Sequence, residues 1–441
     1  MTTSGLDLRG LSRNISATFL RQIAAALLGL VSTAIVARVY GPEGNGMLAI
    51  ALLLPSMLST FLNLGVAPAN VYFLGSAQIS VRQLLGANLR IFALLGALGL
   101  VLGAVTLRWQ AEQLFPGVSP FVLWLALASF PIDLLNSSLI SVFQGLQQFR
   151  PYNILAMTQS VAFLLLVIAL TLAGNLEIAL LVGAQVFSQF LVLVVTIRWL
   201  LPLVGPREDL KPPWDFVKRT LSYGWKAHLG NILTFINYKA DIFLTNLFLG
   251  PAAVGVYVIA VALAEKLWLV SQAVSTVLLP RLSQLSSDEG KRKELTPLVA
   301  RWVLLTTLLG AFAVGVLAEF LLTLVFGPEY KDALVPLWIL LPGIVLISAS
   351  RVMANDIAAR GRPELNMYTA IAVASINVIG NLILIPSYGL PGAAAATTIA
   401  YTLDLILRLI IYRRFTKNKW TDSLFVKISD FHLLKAYIAR P

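Results

Sequence analysis

Long apolar runs, separated by short polar stretches, dominate the pattern of residues along this 441-residue chain. A helix needs about 20 mostly apolar residues to cross the roughly 30 Å of hydrocarbon in a bilayer. Runs that meet this length recur from residue 14 to residue 412. The pattern therefore predicts twelve transmembrane helices, at 14–39, 47–74, 84–107, 119–143, 152–173, 177–201, 222–249, 254–280, 298–325, 333–357, 367–385 and 389–412.

The composition supports a membrane protein and excludes several other classes. Apolar residues make up 58% of the chain and charged residues only 12%, and the mean hydropathy is +0.82. A soluble domain has about 25% charged and about 45–50% apolar residues. A water-soluble enzyme, a disordered chain, collagen and a coiled coil are therefore excluded, and the expected fold is an all-α integral membrane protein.

The net charge of +12 follows from where Lys and Arg lie along the chain. The N-terminal tail, the even-numbered loops between predicted helices and the C-terminal tail hold 21 of them, whereas the odd-numbered loops hold only Arg108 and Lys331. Basic loops stay on the cytoplasmic side of a membrane. The pattern predicts that both termini are cytoplasmic, and no nucleic-acid partner is needed to explain the charge.

An internal repeat relates the two halves of the chain. The turn Gly41–Gly46 aligns with Gly250–Gly255, and Arg150-Pro151 aligns with Arg362-Pro363 at a similar shift. Each half holds six predicted helices in the same orientation, which predicts two six-helix bundles related by an axis along the membrane normal, with a cavity between them. The predicted order is a cytoplasmic N-terminal tail at 1–13, bundles at 14–201 and 222–412 joined by a linker at 202–221, and a basic cytoplasmic C-terminal tail at 413–441.

Polar residues inside the predicted helices indicate where a site lies. A charge near a helix centre costs about 2.5–3.5 kcal/mol on insertion, so it normally faces a partner or a hydrated cavity. The seventh predicted helix carries polar residues at intervals of three and four, which places them on one face: His228, Asn231, Thr234, Tyr238, Asp241 and Thr245. Hydrogen bonding between helices is the alternative explanation for such a stripe, and Asp404 with Arg408 is expected to be a structural ion pair.

Several kinds of chemistry are missing from the sequence. The chain has no cysteine and only two histidines, His228 and His432, so a transition-metal site is not expected. It has no phosphate-binding G-x-x-x-x-G-K-[ST] loop and no G-x-S-x-G or kinase signature. No cofactor is expected. If the predicted cavity serves transport, the energy comes from the gradient of the transported molecule, from the membrane potential or from an ion gradient such as one of Na⁺ or H⁺.

Short motifs in both halves resemble those of Wzx-type polysaccharide-biosynthesis flippases. They are Ala37–Gly46, Leu62–Gly65, Lys239–Leu244, Phe248–Pro251, Val254–Tyr257 and Leu279–Leu282. The resemblance implies the fold of the multidrug/oligosaccharidyl-lipid/polysaccharide exporter superfamily, with two six-helix bundles in a V, in a bacterial inner membrane. It also implies a polyprenyl-diphosphate-linked oligosaccharide as cargo, for a surface polysaccharide such as an O-antigen. The related peptidoglycan-precursor flippases have two further C-terminal helices, and the twelve predicted here argue against that branch.

The cargo that the resemblance implies matches the polar residues inside the helices. A buried diphosphate needs cationic partners, while amides and hydroxyls suit sugar hydroxyls. The candidate substrate-binding residues are Arg21, Arg90, Lys239, Lys266, Arg351, Asn63, Asn231, Tyr238 and Gln272. The candidates for binding a coupling ion are Asp241, Glu265 and Asp133. Membrane lipid and other polysaccharide-assembly proteins are the further partners expected.

Three functions are weighed against one another. The first is flipping of the lipid-linked glycan from the cytoplasmic to the outer leaflet by alternating access, with no enzymatic step. The second is a cation-coupled multidrug exporter of the same fold, which favours buried acids over buried bases; here the two are nearly balanced. The third is a polytopic glycosyltransferase or polymerase, which needs a catalytic carboxylate in a substantial loop, and the predicted outer loops are too short to supply one.

Overall fold

The computed structural model describes residues 8–76, 78–204, 214–284, 288–427 and 430. Nearly all of these residues are helical, and no strand occurs among them. Backbone polar groups in hydrocarbon must be satisfied within the chain, which a helix does with its own N–H and C=O groups. The all-α class predicted from the composition is confirmed.

The first of two compact units comprises the described residues up to Phe235 together with Leu249–Gly255. Part of its core is formed by Val36, Val167 and Leu181. Its complete helices are α1 (Leu8–Ala51), α2 (Leu53–Leu62), α3 (Val66–Gly75), α4 (Val81–Leu114), α5 (Pro120–Leu127), α6 (Ser129–Gly145), α7 (Phe149–Leu172) and α8 (Ile178–Leu200), and the unit also includes the first part of α9 (Trp214–Leu249) and the first residues of α10 (Pro251–Glu265).

The second unit comprises Ile236–Phe248 and the described residues from Val256 onward. A buried cluster in its core includes Val303, Val352, Met353 and Leu405. Besides the remaining parts of α9 and α10, its helices are α11 (Trp268–Gln284), α12 (Glu289–Leu321), α13 (Leu334–Ala359), α14 (Pro363–Tyr388), α15 (Leu390–Thr416) and α16 (Thr421–Leu424).

Ten helical stretches within the described residues are long and apolar enough to cross a membrane, or eleven if a bent pair counts as one. The bent pair is Pro251–Glu265 with Trp268–Ser275, which meet at 47°. One of the ten is the 43-residue stretch Leu20–Leu62, where the apolar pattern predicts two separate helices. The multi-pass character of the chain is therefore confirmed, whereas this count of helical stretches is smaller than the twelve predicted.

The first glycine of the repeated turn has a positive φ in both copies, and the copies contact each other. Gly41 has φ 65° and Gly250 has φ 82°, a region that favours glycine, and a proline follows each. A methyl group on Gly46 would lie 1.8 Å from the carbonyl oxygen of Pro251, and one on Gly255 would lie 1.8 Å from that of Pro42. Glycine at 46 and 255 is therefore what lets the two turns approach, each against the proline of the other.

The predicted continuous helix at 47–74 is interrupted at Asn63–Gly65, between α2 and α3. Leu64 has φ 46° and Gly65 has φ 70°, and the Asn63 side-chain oxygen accepts a hydrogen bond from the Gly65 N–H at 2.9 Å. This amide takes up a donor that the end of the helix would otherwise leave without a partner. An apolar run does not reveal such a break, because it meets the length test whether or not the helix is continuous.

Helix α9 begins at Trp214, inside the predicted linker at 202–221, where the sequence also allows a short interfacial helix from Trp214 to Leu221. Phe216, Val217 and Thr220 are buried in this first part, while Lys218 and Arg219 are exposed. The interval of three to four between buried positions is that of an amphipathic helix. The helix is therefore longer than its apolar run, since its first turns are only half apolar. Residues 205–213 of the predicted linker lie outside the described residues.

Candidate functional site

Arg351 lies at the centre of an aromatic cluster in the second unit. Its guanidinium donates a hydrogen bond to the Tyr238 hydroxyl oxygen at 2.8 Å and stacks over the Trp268 ring at 4.1 Å from the centroid. The Trp268 ring also packs against Tyr238 and Tyr401, with centroid separations of 5.1 and 6.1 Å. We call Arg351, Tyr238, Trp268 and Tyr401 the arginine–aromatic cluster. Its aromatic groups hold the cation by a hydrogen bond and cation–π attraction.

Helix periodicity brings these side chains together. Arg351 and Asn355 are one turn apart on α13, and they meet Trp268 and Ser275 of α11. The Asn355 amide donates to the Ser275 hydroxyl at 2.8 Å. Polar residues of α13 and α11 are thus in contact along facing helices, because residues spaced by three and four share a face.

A small polar cavity lies beside the arginine–aromatic cluster, within the second unit. Its empty volume is about 260 Å³, including space open to the surroundings. Its lining residues are Tyr238, Asp241, Val261, Ala264, Glu265, Leu340, Ile344, Thr397 and Tyr401. Glu265 lies close enough to Lys239, Asp241, Lys266 and Arg351 for electrostatic interaction with each. These five candidate site residues are therefore close enough to one another for their charges to interact around Glu265.

Asp241 is the most buried of the candidate acids, with 4% of its surface exposed. One carboxylate oxygen accepts a hydrogen bond from the Tyr257 hydroxyl at 2.8 Å, and the other accepts from the backbone N–H of Ile242 at 2.8 Å. These donors stabilise a carboxylate that burial would otherwise penalise. No group of three His, Asp or Glu side chains suited to a metal ion occurs in the part of the chain that the structure describes.

The other candidates of this unit are less buried than Asp241. Lys239 and Gln272 are exposed, and Lys266 is half-buried. Lys266 lies where α10 ends and α11 begins, and its backbone N–H bonds to the Leu263 carbonyl at 3.3 Å. Within the described residues, no hydrogen bond joins Gln272 to the arginine–aromatic cluster, although Gln272 lies four residues after Trp268 on α11.

The first unit holds a second arginine against an aromatic ring. The Arg21 guanidinium lies 5.7 Å from the centroid of the Tyr152 ring. Its Nε atom is buried without a hydrogen-bond partner among the described residues. Arg21 also forms no ion pair within that part of the chain. Like Arg351, it is a half-buried cation next to a neutral aromatic group.

The first unit also contains a small cavity, which is formed by α2, α3, α4 and α6 and is lined by Asn63. The empty volume is about 270 Å³, and Asn88, Ser137 and Ser138 also line it. Asn88 is 3% exposed, and neither its side-chain oxygen nor its nitrogen has a partner among the described residues. Since an amide buried without partners is costly, water is the natural occupant of this space.

The other candidates of the first unit are dispersed. Asp133 lies next to the Ser59 hydroxyl, with which its carboxylate interacts. Arg90 is half-buried on α4, and Asn231 is exposed on α9. His228, on the same predicted stripe as Asn231, is fully buried and its Nε2 lies 2.9 Å from the Phe61 carbonyl oxygen. That residue is a contact between helices, which is the alternative explanation given for the stripe.

Four largely buried arginines of the second unit are paired with carboxylates. Arg292 and Arg360 both bind Asp356, at 2.8 and 3.0 Å; Arg301 binds Asp430 at 2.6 Å; and Arg408 binds Asp404 at 2.9 Å. Arg360 also bonds Glu289 at 2.8 Å. We call Arg292, Arg301, Arg360 and Arg408 the carboxylate-paired arginines. The structural ion pair predicted for Asp404 and Arg408 is confirmed.

The sequence analysis missed three polar residues that lie inside the second unit. Tyr401 lies four residues after Thr397 and three before Asp404 on α15, so its helical spacing from these polar residues was a signal that the sequence offered. Asn377 and Asn381 lie four residues apart on α14, both fully buried, and the amide nitrogen of Asn381 donates to the side-chain oxygen of Asn377 at 3.1 Å. That interval was a usable signal, because it places both amides on one face.

Comparison with known families gives a match over most of the chain. A family model described as "Polysaccharide biosynthesis protein" matches residues 35–335. Two similar curated proteins are the "Probable low-salt glycan biosynthesis flippase Agl15" of Haloferax volcanii and the "Capsular polysaccharide biosynthesis protein CapF" of Staphylococcus aureus. The first is 26% identical over 54% of this chain and 51% of its own length. The second is 25% identical over 91% of this chain and 99% of its own length.

Solved structures share the fold at low sequence identity. The inward closed conformation of the lipid II flippase MurJ has a TM-score of 0.76 at 16% identity and covers 96% of this chain and 93% of its own. The inward-facing conformation of a multidrug resistance MATE family transporter has a TM-score of 0.70 at 14% identity, covering 89% of this chain and 94% of its own. The chain therefore has the fold that these two kinds of transporter share.

Proposed function

The chain belongs to the polysaccharide biosynthesis protein family, and on that premise we propose that it flips a lipid-linked glycan across a membrane. The proposed cargo is a polyprenyl-diphosphate-linked oligosaccharide, moved from the cytoplasmic to the outer leaflet by alternating access. The name of the Haloferax relative, a probable glycan biosynthesis flippase, supports flipping as the activity. No covalent step is proposed, so the purified protein should transfer no sugar.

The environment of Arg351 is the observation that carries the proposal. Its hydrogen-bond and stacking partners, Tyr238 and Trp268, are uncharged, and it forms no ion pair within the described residues. A guanidinium with free N–H groups binds phosphate through two parallel hydrogen bonds. The arginine–aromatic cluster therefore positions a cation without neutralising it, as a diphosphate site requires.

The same reasoning extends to the first unit. Arg21 stands beside Tyr152 with its Nε atom lacking a partner, and it is a further candidate for contact with an anionic group of the cargo. Asn63 and Asn88 line a polar cavity, and their amides suit sugar hydroxyls. Arg90, Lys239, Lys266, Gln272 and Asn231 remain candidates for contacts with the cargo.

We further propose twelve membrane crossings in two bundles of six, with both termini cytoplasmic, in the inner membrane of a bacterial-type cell. The stretch Leu20–Leu62 is 43 residues long, or about 65 Å at 1.5 Å per residue. That is about twice the hydrocarbon thickness of roughly 30 Å. The non-helical backbone at Gly41, with φ 65° and ψ −176°, supports two crossings there, and the bent pair supplies another.

Asp241 is the proposed site of ion coupling, with Glu265 and Asp133 as the other candidates. Binding of Na⁺ or H⁺ to a buried carboxylate would remove or balance its charge, and Asp241 also interacts electrostatically with Lys239. A change at Asp241 would thereby reach the charges near Arg351 through Glu265. Proton or sodium dependence of flipping in vesicles, lost in Asp241→Asn, tests this assignment.

A second candidate function is export of cationic drugs. The fold shared with a MATE family transporter and the buried carboxylates Asp241 and Glu265 near the cavity favour it. Cationic drugs need those acids, whereas a diphosphate needs Arg351. Drug accumulation and glycan flipping, measured in the same vesicles, distinguish the two functions.

The decisive experiment uses the full chain in lipid vesicles with a fluorescent polyprenyl-diphosphate oligosaccharide. A membrane-impermeant reagent destroys the label in the outer leaflet, so the protected fraction reports flipping. We expect Arg351→Gln to reduce the rate at least about tenfold, and Arg413→Gln, an exposed arginine in the last turn of α15, to leave it unchanged. Equal rates for wild type and Arg351→Gln would overturn the proposed site, and no flipping by wild type would overturn the function.

A further inference from the structure

A groove at one end of the first unit contains unpaired polar side chains of both charge signs. It lies between the last two turns of α4 and the start of α5, and encloses about 790 Å³ including the space open to the surroundings. Its polar and aromatic lining residues are Arg108, Trp109, Glu112, Gln113 and Trp124. None of the candidate site residues lines it.

The groove lies at the level of lipid headgroups. Helix α4 has 34 residues, or about 51 Å at 1.5 Å per residue, which exceeds the roughly 30 Å of hydrocarbon. Its apolar run ends at residue 107, and residues 108–113 read Arg-Trp-Gln-Ala-Glu-Gln. Tryptophan is enriched at the membrane–water interface. The last two turns of α4 thus project from hydrocarbon into the headgroup layer.

Arg108 and Glu112 face the groove without pairing with each other. They are four residues apart on one face of α4, where opposite charges commonly form an ion pair. Neither has a hydrogen bond or an ion pair within the described residues. Arg108 is about 6 Å closer to the hydrocarbon than Glu112, because each residue adds 1.5 Å along the helix. The groove therefore offers a deeper positive and a shallower negative charge.

We propose that this groove binds the headgroup of a zwitterionic phospholipid. The phosphodiester, which lies deeper in the bilayer, accepts hydrogen bonds from Arg108. The ammonium group, which lies nearer to water, pairs with Glu112 and is attracted to the indole rings of Trp109 and Trp124. An anionic lipid without an ammonium group leaves Glu112 facing the phosphate. A neutral sugar carries no charge that could pair with Arg108 or Glu112.

The surrounding chain holds the groove in shape. Phe115 and Val118, in the loop between α4 and α5, are 4% and 7% exposed. Gly117 of the same loop has φ 80°, and a methyl group there would lie 2.6 Å from Pro251 Cγ. A loop fixed by such contacts keeps the two walls apart without a ligand, which reduces the entropy lost when a headgroup binds.

The test measures lipid retention by the purified full chain with native mass spectrometry. The probes are a phosphatidylethanolamine and a phosphatidylglycerol with the same acyl chains, each titrated separately. We expect Arg108→Gln to weaken the binding of both lipids, by about tenfold for phosphatidylethanolamine. Glu112→Gln should weaken phosphatidylethanolamine about tenfold and leave phosphatidylglycerol unchanged or stronger. Gln110→Ala, an exposed neighbour that does not line the groove, is the matched control and should change neither.

The responses of the two lipids to these variants distinguish headgroup binding from nonspecific adsorption. The opposite response of the two lipids to Glu112→Gln supports the proposal, because nonspecific adsorption does not distinguish them. Unchanged phosphatidylethanolamine binding in both charge variants overturns it, as does an equal loss in Gln110→Ala. Displacement of the bound lipid by soluble methyl glucoside would identify the groove as a sugar site instead. Since no cargo is used, the result is independent of the proposed flipping.

Discussion

The second unit contains largely buried arginines of two kinds, and their partners separate them. The carboxylate-paired arginines are each bound by an aspartate at 3.0 Å or less. Arg351 instead bonds a tyrosine hydroxyl and stacks on an indole. The charge of a paired arginine is balanced by its aspartate and stabilises the fold, since breaking a buried pair is costly. Arg351 retains its positive charge for an anion from outside the protein.

Breaking a carboxylate pair should have the largest effect on stability. In Asp356→Asn, Arg292 and Arg360 lose their shared carboxylate, and Arg292 is only 3% exposed at its side chain. We expect a loss of about 3–5 kcal/mol in the free energy of unfolding, measured by thermal unfolding in detergent. The control is Glu364→Gln, whose pair with Arg362 is exposed to solvent and should contribute little to stability. Similar losses in both variants would contradict the assignment.

Changing Arg351 while keeping its charge should affect flipping more than stability. Arg351→Lys retains the cation but loses the planar fork and the stacking on Trp268. A hydrogen bond to a charged group contributes about 1.5–3 kcal/mol, so we expect the flipping rate to fall about tenfold or more. Arg408→Lys should leave flipping near the wild-type rate, because lysine still pairs with Asp404. Equal rates for Arg351→Lys and wild type would show that the fork has no role.

The attraction between Arg351 and Trp268 is a smaller quantity that a double-mutant cycle can isolate. Combining Arg351→Gln with Trp268→Leu should give a coupling energy of about 0.5–2 kcal/mol in thermal unfolding. Trp338 lies 13 residues from Arg351, or about 20 Å along α13, and provides the control. The cycle with Trp338→Leu should give no coupling. Coupling of the same size there would mean that the indole at 268 contributes nothing specific.

An exposed carboxylate pair gives the smallest effect and a defined pH dependence. The hydrogen bond from Lys427 lowers the pKa of Asp422 from its ordinary value of 3.8. A lowered pKa in the folded state means that the stabilisation is present above the ordinary value and is lost as the pH falls through the folded one. Lys427→Met should therefore lower the free energy of unfolding slightly at pH 7, by less than about 1 kcal/mol, and by progressively less as the pH falls below 3.8. A difference that does not shrink as the pH falls would contradict this cause.

The sequence predicted the helical class and the polar face of α9, but not which charges are available. Apolar runs identify membrane helices because length and hydropathy decide insertion. The pairing of Arg408 with Asp404 was predictable, since the two lie four residues apart on one helix. The environment of Arg351 was not, because Tyr238, Trp268 and Tyr401 lie on three other helices. Helix breaks such as Asn63–Gly65 were likewise hidden within runs that satisfy the length rule.

The contact between the repeated turns bears on how such a chain can originate. Gly46 packs against the carbonyl of Pro251, and Gly255 packs against that of Pro42. Each turn therefore supplies both a glycine and a proline carbonyl to the contact. A reciprocal contact of this kind is what a twofold-symmetric dimer forms between two copies of one surface. A half-length chain bearing a single Gly-Pro turn would carry both sides of such an interface. Joining two such halves would need no new surface there, because each glycine would meet the proline of the other half.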